Sequence, residues 1–432
     1  MSTHDVQPAK HPTDALVVAD DLTGATDTGH SFAARGYRTI VRLTPDFDAS
    51  EAVVSVVDTD SRYSEAAEAA NRVTAVVERS TADAVYKKVD STLRGNVRTE
   101  TVAAAKAMDA GAAAVAPAFP SNGRVTAAGY HLVGGELVTD TEAGNDPDKP
   151  VPTSSLPVLL DGKVGTVVHA DAKRVAGGAV TAGKALIGEG DPRLVAFDAV
   201  HDRHLEAVAD ATAAHGGDVL LVGSAGLAEH VRLDAPTVER APAAEEPSGT
   251  AFGVVGSINP QTLAQLDVLP VRRVVELDPE MAVTDPTAAG EAAGEACVER
   301  LDSEQSVVLA SARNEADVEA SLDAAERAGF TERDARERVT EALGVAAEAV
   351  WTAVSPGGFF ITGGTVAKGV LDRLGVGGIE LRGEEVAVGV PVGVVRGGPA
   401  EGTPVVTKAG AFGTDSTVDD ALEHLRCLEG KR

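Results

Sequence analysis

Ala15-Leu16-Val17-Val18-Ala19-Asp20-Asp21-Leu22-Thr23-Gly24-Ala25-Thr26-Asp27-Thr28-Gly29 opens with five small apolar residues and then sets two acids side by side. The apolar run predicts a strand buried on both faces, which has no polar side to alternate with. A Thr-Gly turn and a short helix ending near Gly36 follow. Adjacent carboxylates at the end of a strand repel each other unless a metal, hydroxyl groups or basic partners compensate them. The plainer reading is a helix N-cap beside one solvated acid. In open parallel sheets the ligand crevice lies outside these strand ends.

Three further apolar runs end in similar turns. Ala52–Val57 enters Asp58-Thr59-Asp60-Ser61-Arg62, and Ala84–Val89 enters Asp90-Ser91-Thr92-Leu93-Arg94-Gly95-Asn96. Ala112–Ala116 enters Pro117-Ala118-Phe119-Pro120-Ser121-Asn122-Gly123-Arg124. Helices are expected from Ser64 to Arg79 and after Asn96 to Asp109, with a short strand at Tyr37–Leu43. Strands alternating with helices predict a parallel sheet, and right-handed crossovers place the turns on one edge. Asp20, Asp21, Arg62, Asp90, Ser91, Arg94 and Arg124 can then share one crevice. One such turn is ordinary capping chemistry; four together point to a ligand site. Lys87 and Lys88 alternate along a strand, so only one can face it.

Val138–Ser155, rich in Asp, Pro and Thr, reads as a long surface loop or lid. Leu194–Phe197 and Asp218–Val222 are later strands of the same domain. The Pro- and Glu-bearing stretch 235–249 is the linker. The expected organisation is a domain at 1–234, a linker at 235–249 and a second domain at 250–432.

In the second half, strands are expected at Thr250–Val255, Arg272–Leu277, Val307–Ala310, Gly358–Thr362 and Pro404–Thr407. Thr331-Glu332-Arg333-Asp334 reads as a capping box. Val339, Leu343, Ala346, Val350 and Trp351 follow at helical spacing and read as core. Three strand ends carry glycine: Gly256-Ser257, Gly363-Gly364-Thr365, and Lys408 to Gly413. Glycine lets a backbone approach a ligand and offer its N–H groups, and a helix N-terminus behind it favours an anion. No Walker A loop, dinucleotide fingerprint or protein-kinase signature set is present.

A length of 432 residues suggests two or three domains. With 44% hydrophobic but only 3% aromatic residues, the cores must be built of Ala, Val and Leu. The net charge of -28 is dispersed rather than gathered in a tail. That balance excludes a nucleic-acid binder, which needs a basic footprint, and suggests adaptation to a salt-rich cytoplasm. Cys297 and Cys427 match no metal spacing. Residues 1–14 lack an apolar signal core, and no run approaches the ~18 apolar residues of a membrane helix. A soluble, cytoplasmic protein without membrane contact is expected.

Taken together, the two halves suggest phosphoryl transfer between a small polyhydroxy anion and a nucleotide. The motifs also carry a resemblance. Ala19-Asp20-Asp21-Leu22-Thr23-Gly24-Ala25, Lys87-Lys88-Val89-Asp90-Ser91-Thr92-Leu93-Arg94-Gly95-Asn96 and Phe119-Pro120-Ser121-Asn122-Gly123-Arg124 resemble the N-terminal signatures of the four-carbon acid sugar kinase family. Gly256-Ser257 with Pro260 and Thr262, Thr362-Gly363-Gly364, and Lys408 to Gly413 resemble its nucleotide-binding motifs. The order matches over nearly the whole chain. The resemblance implies two α/β domains, each with a mainly parallel sheet flanked by helices, and an active site in the interdomain cleft. It implies ATP-dependent phosphorylation of the terminal hydroxyl of threonate, erythronate or 3-oxo-tetronate. Thr365 and Val366 depart from the family's residues after Gly-Gly, and Ala409 and Ala411 replace a Ser and an Asn in its Lys-Ser-Gly-Asn-Phe-Gly motif.

The expected site follows. Asp20, Asp21 and Asp90 hold hydroxyls, and Asp21 is taken as the base. Arg94, with Arg62, Lys88 or Arg124, holds the carboxylate through its planar fork; Thr23, Ser91 and Gly95 complete the acid site. Ser257, Gly363, Gly364, Thr365, Lys408 and Gly410 bind ATP, with Lys408 reaching a phosphate. Mg²⁺ rides on the phosphates, its protein ligands undefined. The expected partners are the sugar acid and ATP, with a homo-oligomer left open. The rivals are a sugar-acid dehydrogenase or aldolase, and a non-catalytic sugar-acid sensor.

Overall fold

The computed structural model describes residues 14–44, 47–146, 148–188, 192–215, 219–237 and 249–428. Most of the expected linker, 238–248, and the N-terminal stretch 1–13 lie outside them. The chain divides into two compact units, residues 1–40 with 45–237, and residues 41–44 with 238–432.

The first unit contains β1 (Ala15–Ala19), β2 (Thr39–Arg42, shared with the second unit), β3 (Val54–Asp58), β4 (Ala84–Lys88), β5 (Ala112–Ala116), β6 (Arg124–Ala127), β7 (Tyr130–Val133), β8 (Glu136–Leu137), β9 (Thr166–Ala170), β10 (Arg193–Phe197) and β11 (Val219–Gly223). Its main sheet has the order β2-β3-β1-β4-β11-β5-β10-β9. From β3 to β9 every pairing is parallel. The expected parallel sheet is therefore present, and the carboxyl ends of β1, β3, β4 and β5 share an edge.

Helices Leu22–Ala33, Ala66–Glu78, Val97–Ala107 and Asp202–Ala213 follow β1, β3, β4 and β10. β1 is buried throughout, as its uniform apolarity requires. Leu16, Val18, Val57, Val89, Ala104, Ala113, Val115 and Leu220 pack in one cluster without aromatic rings. Each such Val or Leu contributes roughly 1.5–3 kcal/mol on burial.

A small antiparallel sheet, β6-β7-β8, was not expected. Ala128 and Gly129 turn β6 into β7, both with positive φ (51° and 78°), the geometry of a tight hairpin. The acidic loop after it contains short 3-10 turns at Val138–Asp140 and Glu142–Asn145.

The second unit contains β12 (Ala251–Val255), β13 (Val274–Glu276), β14 (Ser306–Ala310), β15 (Gly358–Thr362), β16 (Gly378–Ala387), β17 (Val390–Arg396) and β18 (Pro404–Lys408), in the order β13-β14-β12-β15-β18-β17-β16. The pairings from β13 to β18 are parallel, and β17 runs antiparallel to β18 and β16. The capping box forms: Asp334 N donates to Thr331 Oγ1, and Thr331 N to the Asp334 carboxylate, opening helix Glu332–Ala353. On its buried face Trp351 meets Phe359 edge-on, ring centres 4.6 Å apart.

Candidate functional site

In the first unit, Asp20 and Asp21 follow β1, Arg62 follows β3, Asp90 to Gly95 follow β4, and Arg124 follows β5. The loop after β3 folds over the end of β1. Thr59 N donates to Ala19 O, and the N–H groups of Ser61 and Arg62 to Asp20 O.

That fold delivers Arg62 onto both acids. Its Nε donates to Asp20 Oδ2 at 2.8 Å and its Nη2 to Asp20 Oδ1 at 3.0 Å. Nη1 donates to Asp21 Oδ2 at 2.6 Å and Nη2 to Asp21 Oδ1 at 2.7 Å. Of the compensations open to two adjacent acids, a basic partner is the one realised. Asp21 is also the helix N-cap, Oδ1 accepting from Gly24 N at 2.8 Å. The cap reading and the site reading describe one side chain. Arg62, expected to help hold a ligand carboxylate, has its fork closed on two acids in this structure.

Burial alone would raise the Asp20 carboxyl, but Arg62, backed by Lys87 and Lys88, outweighs it and leaves Asp20 below the ordinary carboxylate value. Arg62 is pulled down by burial, yet Asp20 and Asp21 more than reverse this. Gly95 (φ +88°) lets the next loop cross the pair; a Cβ there would stand 3.1 Å from Arg62 Cγ and 3.4 Å from Asp20 Oδ2.

Asp90 organises its own loop. Its Oδ2 accepts from Thr92 Oγ1 at 2.5 Å and Arg94 Nε at 2.7 Å, and its carbonyl accepts from Leu93 N. Leu93 is buried with φ +64°, a left-handed conformation that costs a non-glycine residue energy. Burial opposes ionisation of Asp90, but Arg94 and Arg62 hold it well below the usual carboxylate range. Arg94 Nη1 also lies 3.6 Å from Asp146 Oδ2, which accepts from Tyr63 Oη. The acidic loop 138–155 thus reaches the site through Asp146, a residue without a distinguishing sequence signal.

Of the two consecutive lysines, Lys87 is the structural one, fully buried with Nζ 2.8 Å from Glu100 Oε2. Lys88 faces the acids. It is 3% exposed and makes no side-chain hydrogen bond or ion pair among the described residues. Arg124 is half-buried; Nη1 donates to Asn122, while its buried Nε has no partner. Thr23 lies in the first helical turn, half-buried. Ser91 is held from behind by His131, whose Nε2 lies 2.8 Å from Ser91 O and Nδ1 3.0 Å from Thr126 Oγ1. Burial pulls His131 down to about 4, so the neutral ring donates from Nε2 and accepts at Nδ1. Sequence reading missed it because β7 was not foreseen.

In the second unit, the loops after β12, β15 and β18 share an edge by the same parallel logic. Gly363 has φ +96°, and a Cβ there would press on Gly256 C at 3.2 Å and Ser257 N at 3.3 Å. It precedes helix Gly364–Arg373 without a side-chain cap, so the first-turn N–H groups, that of exposed Thr365 among them, face outward without intrahelical acceptors. Gly410 makes room for Ser257, whose Oγ would lie 2.3 Å from a Cβ. Val366 packs against Gly256 rather than presenting a polar group.

The structure places Lys408 inside its own loop. It is 2% exposed, and its Nζ donates to Thr262 Oγ1, Ala409 O and Gly410 O, each at 3.0 Å, and to Phe412 O at 3.3 Å. In this arrangement the ammonium is held by its own loop, and burial pulls it down to about 8.

Residues 15–231 match the family described as a sugar-binding N-terminal domain, and residues 252–418 that described as a nucleotide-binding C-terminal domain. The chain is 34% identical to a D-threonate kinase of Salmonella typhimurium over 95% of its own length and 98% of that protein. It is 30% identical to a 3-oxo-tetronate kinase of Cupriavidus necator, over 94% and 96% respectively. A solved structure from Salmonella typhimurium LT2 superposes with a TM-score of 0.75 at 24% identity, covering 94% of this chain and 98% of that one. That likeness shows a shared fold.

Proposed function

The chain belongs to the four-carbon acid sugar kinase family, and we propose that it transfers the terminal phosphoryl group of ATP to the terminal hydroxyl of a four-carbon sugar acid. The observation that carries this reading is the cluster at the carboxyl edge of the first unit. Three carboxylates, Asp20, Asp21 and Asp90, are interleaved there with Arg62, Lys88, Arg94 and Arg124. Such a surface suits a ligand bearing several hydroxyls and one negative charge. We assign the acid to a domain at 1–234 and ATP to one at 250–432.

Asp20 and Asp90 are held ionised, which favours accepting hydrogen bonds from hydroxyls over taking up a proton. Asp21 remains the base. Arg94 and Arg124, the more exposed cations, take the carboxylate with Thr23, Ser91 and Gly95 around it. Ser257, Gly363, Gly364, Thr365 and Gly410 receive the phosphates through backbone N–H groups, a mode that survives Ala409 and Ala411. Lys408 shapes that loop from behind.

Among the described residues there is no group of three or more His, Cys, Asp or Glu side chains able to hold a metal ion, and Asp20, Asp21 and Asp90 are bonded to arginines. Mg²⁺ therefore suits this chain only as an ion carried on the phosphates, where it would neutralise their charge. No helix among the described residues is long and apolar enough to cross a membrane; we place the protein in a salt-rich cytoplasm.

The test is a coupled assay for ADP release in high KCl with D-threonate, D-erythronate and 3-oxo-tetronate. D-Threonate is expected to respond first, because the relative at 34% identity carries that name. No acid-dependent ADP release with any four-carbon acid would sink the proposal.

A further inference from the structure

Lys88 is an anomaly that the assignments above leave open. An ammonium at the wall of a site, without a protein partner, has donors to offer a ligand. Arg62 is closed on Asp20 and Asp21, Arg94 on Asp90, and Lys87 on Glu100. Lys88, 3% exposed at the end of β4, has none of these attachments. It lies against Gly24, in the first turn of the twelve-residue helix Leu22–Ala33.

Gly24 shows what the ammonium faces. A Cβ there would stand 2.7 Å from Lys88 Nζ and 2.6 Å from Asp21 Oδ1. Ammonium and carboxylate thus flank one point, yet they form no ion pair. A single oxygen that holds two hydrogen bonds of about 2.8 Å at a tetrahedral angle separates its partners by roughly 4.6 Å, a span that fits between contact and the sum of those two distances. Asp21 Oδ1 already accepts from Gly24 N and Arg62 Nη2, whereas Oδ2 accepts only from Arg62 Nη1. One lone pair on Oδ2 therefore remains.

We propose that the space between Lys88 Nζ and the Asp21 carboxylate, beside Gly24, seats the hydroxyl that receives the phosphoryl group. The assignment deepens the kinase reading and rests on it. A hydroxyl accepts from the ammonium and donates to the carboxylate at once. A ligand carboxylate could satisfy only Lys88 and would be repelled by Asp21. In the reaction the hydroxyl oxygen forms a bond to the γ-phosphorus of the nucleoside triphosphate. The bond from that phosphorus to the β–γ bridging oxygen breaks, the proton passes to the Asp21 carboxylate, and the nucleoside diphosphate leaves. Lys88 offsets the charge that grows on the attacking oxygen, and the absence of a side chain at Gly24 leaves the ammonium and the carboxylate where they stand.

The experiment is calorimetric binding, without nucleotide, of a four-carbon sugar acid and its 4-deoxy analogue to the wild type, Lys88→Met and Gly24→Ala, with thermal melts to check folding. The wild type is expected to favour the hydroxylated acid about 10- to 100-fold; both variants should lose that preference. Turnover of Lys88→Met should fall about 10²- to 10³-fold. A Lys88→Met that keeps the wild-type preference overturns the seat. So does one that weakens both ligands equally, which would make Lys88 the carboxylate anchor. A wild type that binds no four-carbon sugar acid overturns the kinase reading itself, and the seat with it.

Discussion

Asp21 combines three tasks that a sequence reader sees as alternatives: helix cap, ion-pair partner and base. Substituting Asn separates them. The amide oxygen still caps Gly24 N, while the proton acceptor is lost. Asp21→Asn should therefore lower turnover about 10²- to 10⁴-fold and also lower the melting temperature, because Arg62 loses one of its two carboxylates; near-normal turnover of the folded variant would remove Asp21 from the catalytic list. His131 supplies a pH signature. Its buried ring is held at about 4, against an ordinary 6.5. Between those values the unfolded chain binds a proton that the folded chain refuses, so this contribution is complete above pH 6.5 and drains away as pH falls towards 4. From pH 7 to 5 the wild type should lose about 2 kcal/mol more stability than His131→Gln, measured by urea unfolding. Equal pH slopes would show that the ring is not held neutral by burial. Residue types and motif spacing made Asp20, Asp21, Asp90, Arg94 and Lys88 legible as candidates. The choice between Lys87 and Lys88, and the capture of Arg62 by two acids, depend on which side of a sheet a residue faces, which neighbouring strands decide.

At the scale of elements, the buried parallel strands were legible because each is a short, wholly apolar run. Ala112–Ala116 and Gly358–Thr362 were placed residue for residue. β6, β7, β8, β9, β16 and β17 were not foreseen: the first five are exposed or only partly buried and carry polar residues, with Arg382, Glu384 and Glu385 interrupting β16, while β17 is mostly buried but broken in sequence by Pro391 and Gly393. Long-range pairing, not local composition, makes them strands. Lys408 shows a related limit. A lysine in a glycine-rich loop reads as a phosphate ligand, but the same loop curls so that its carbonyls consume the ammonium. The loop's shape should then depend on that proton. Since Lys408 is pulled down to about 8 by burial, the KM for ATP should rise as pH passes through 8 in the wild type. In Lys408→Met it should be raised already at pH 7 and stay flat. A wild-type KM that is constant to pH 9 would remove Lys408 from the control of nucleotide binding.

Over the whole molecule, charge and composition act together. The chain carries 66 acidic and 38 basic residues, a net charge of -28, and only 3% aromatic residues. Many basic side chains are already engaged, as in Arg273 with Asp419, Arg373 with Glu348 and Arg313 with Asp267 and Glu276. The surplus acids therefore repel one another across the surface, a cost that falls on the compact state. Salt relieves it over distances beyond the Debye length, about 8 Å at 0.15 M and about 3 Å at 1 M. Exposed ion pairs weaken under the same screening, but each is worth at most about 1 kcal/mol, whereas the unbalanced charge is summed over the molecule. The buried Arg62 and Lys87 pairs are screened far less, so the acid site should keep its geometry at high salt. The melting temperature should then rise steadily from low salt to molar KCl, with turnover rising alongside it rather than collapsing. A melting temperature that is flat across that range would mean that the dispersed acids carry no net cost, and would end the case for a salt-adapted protein.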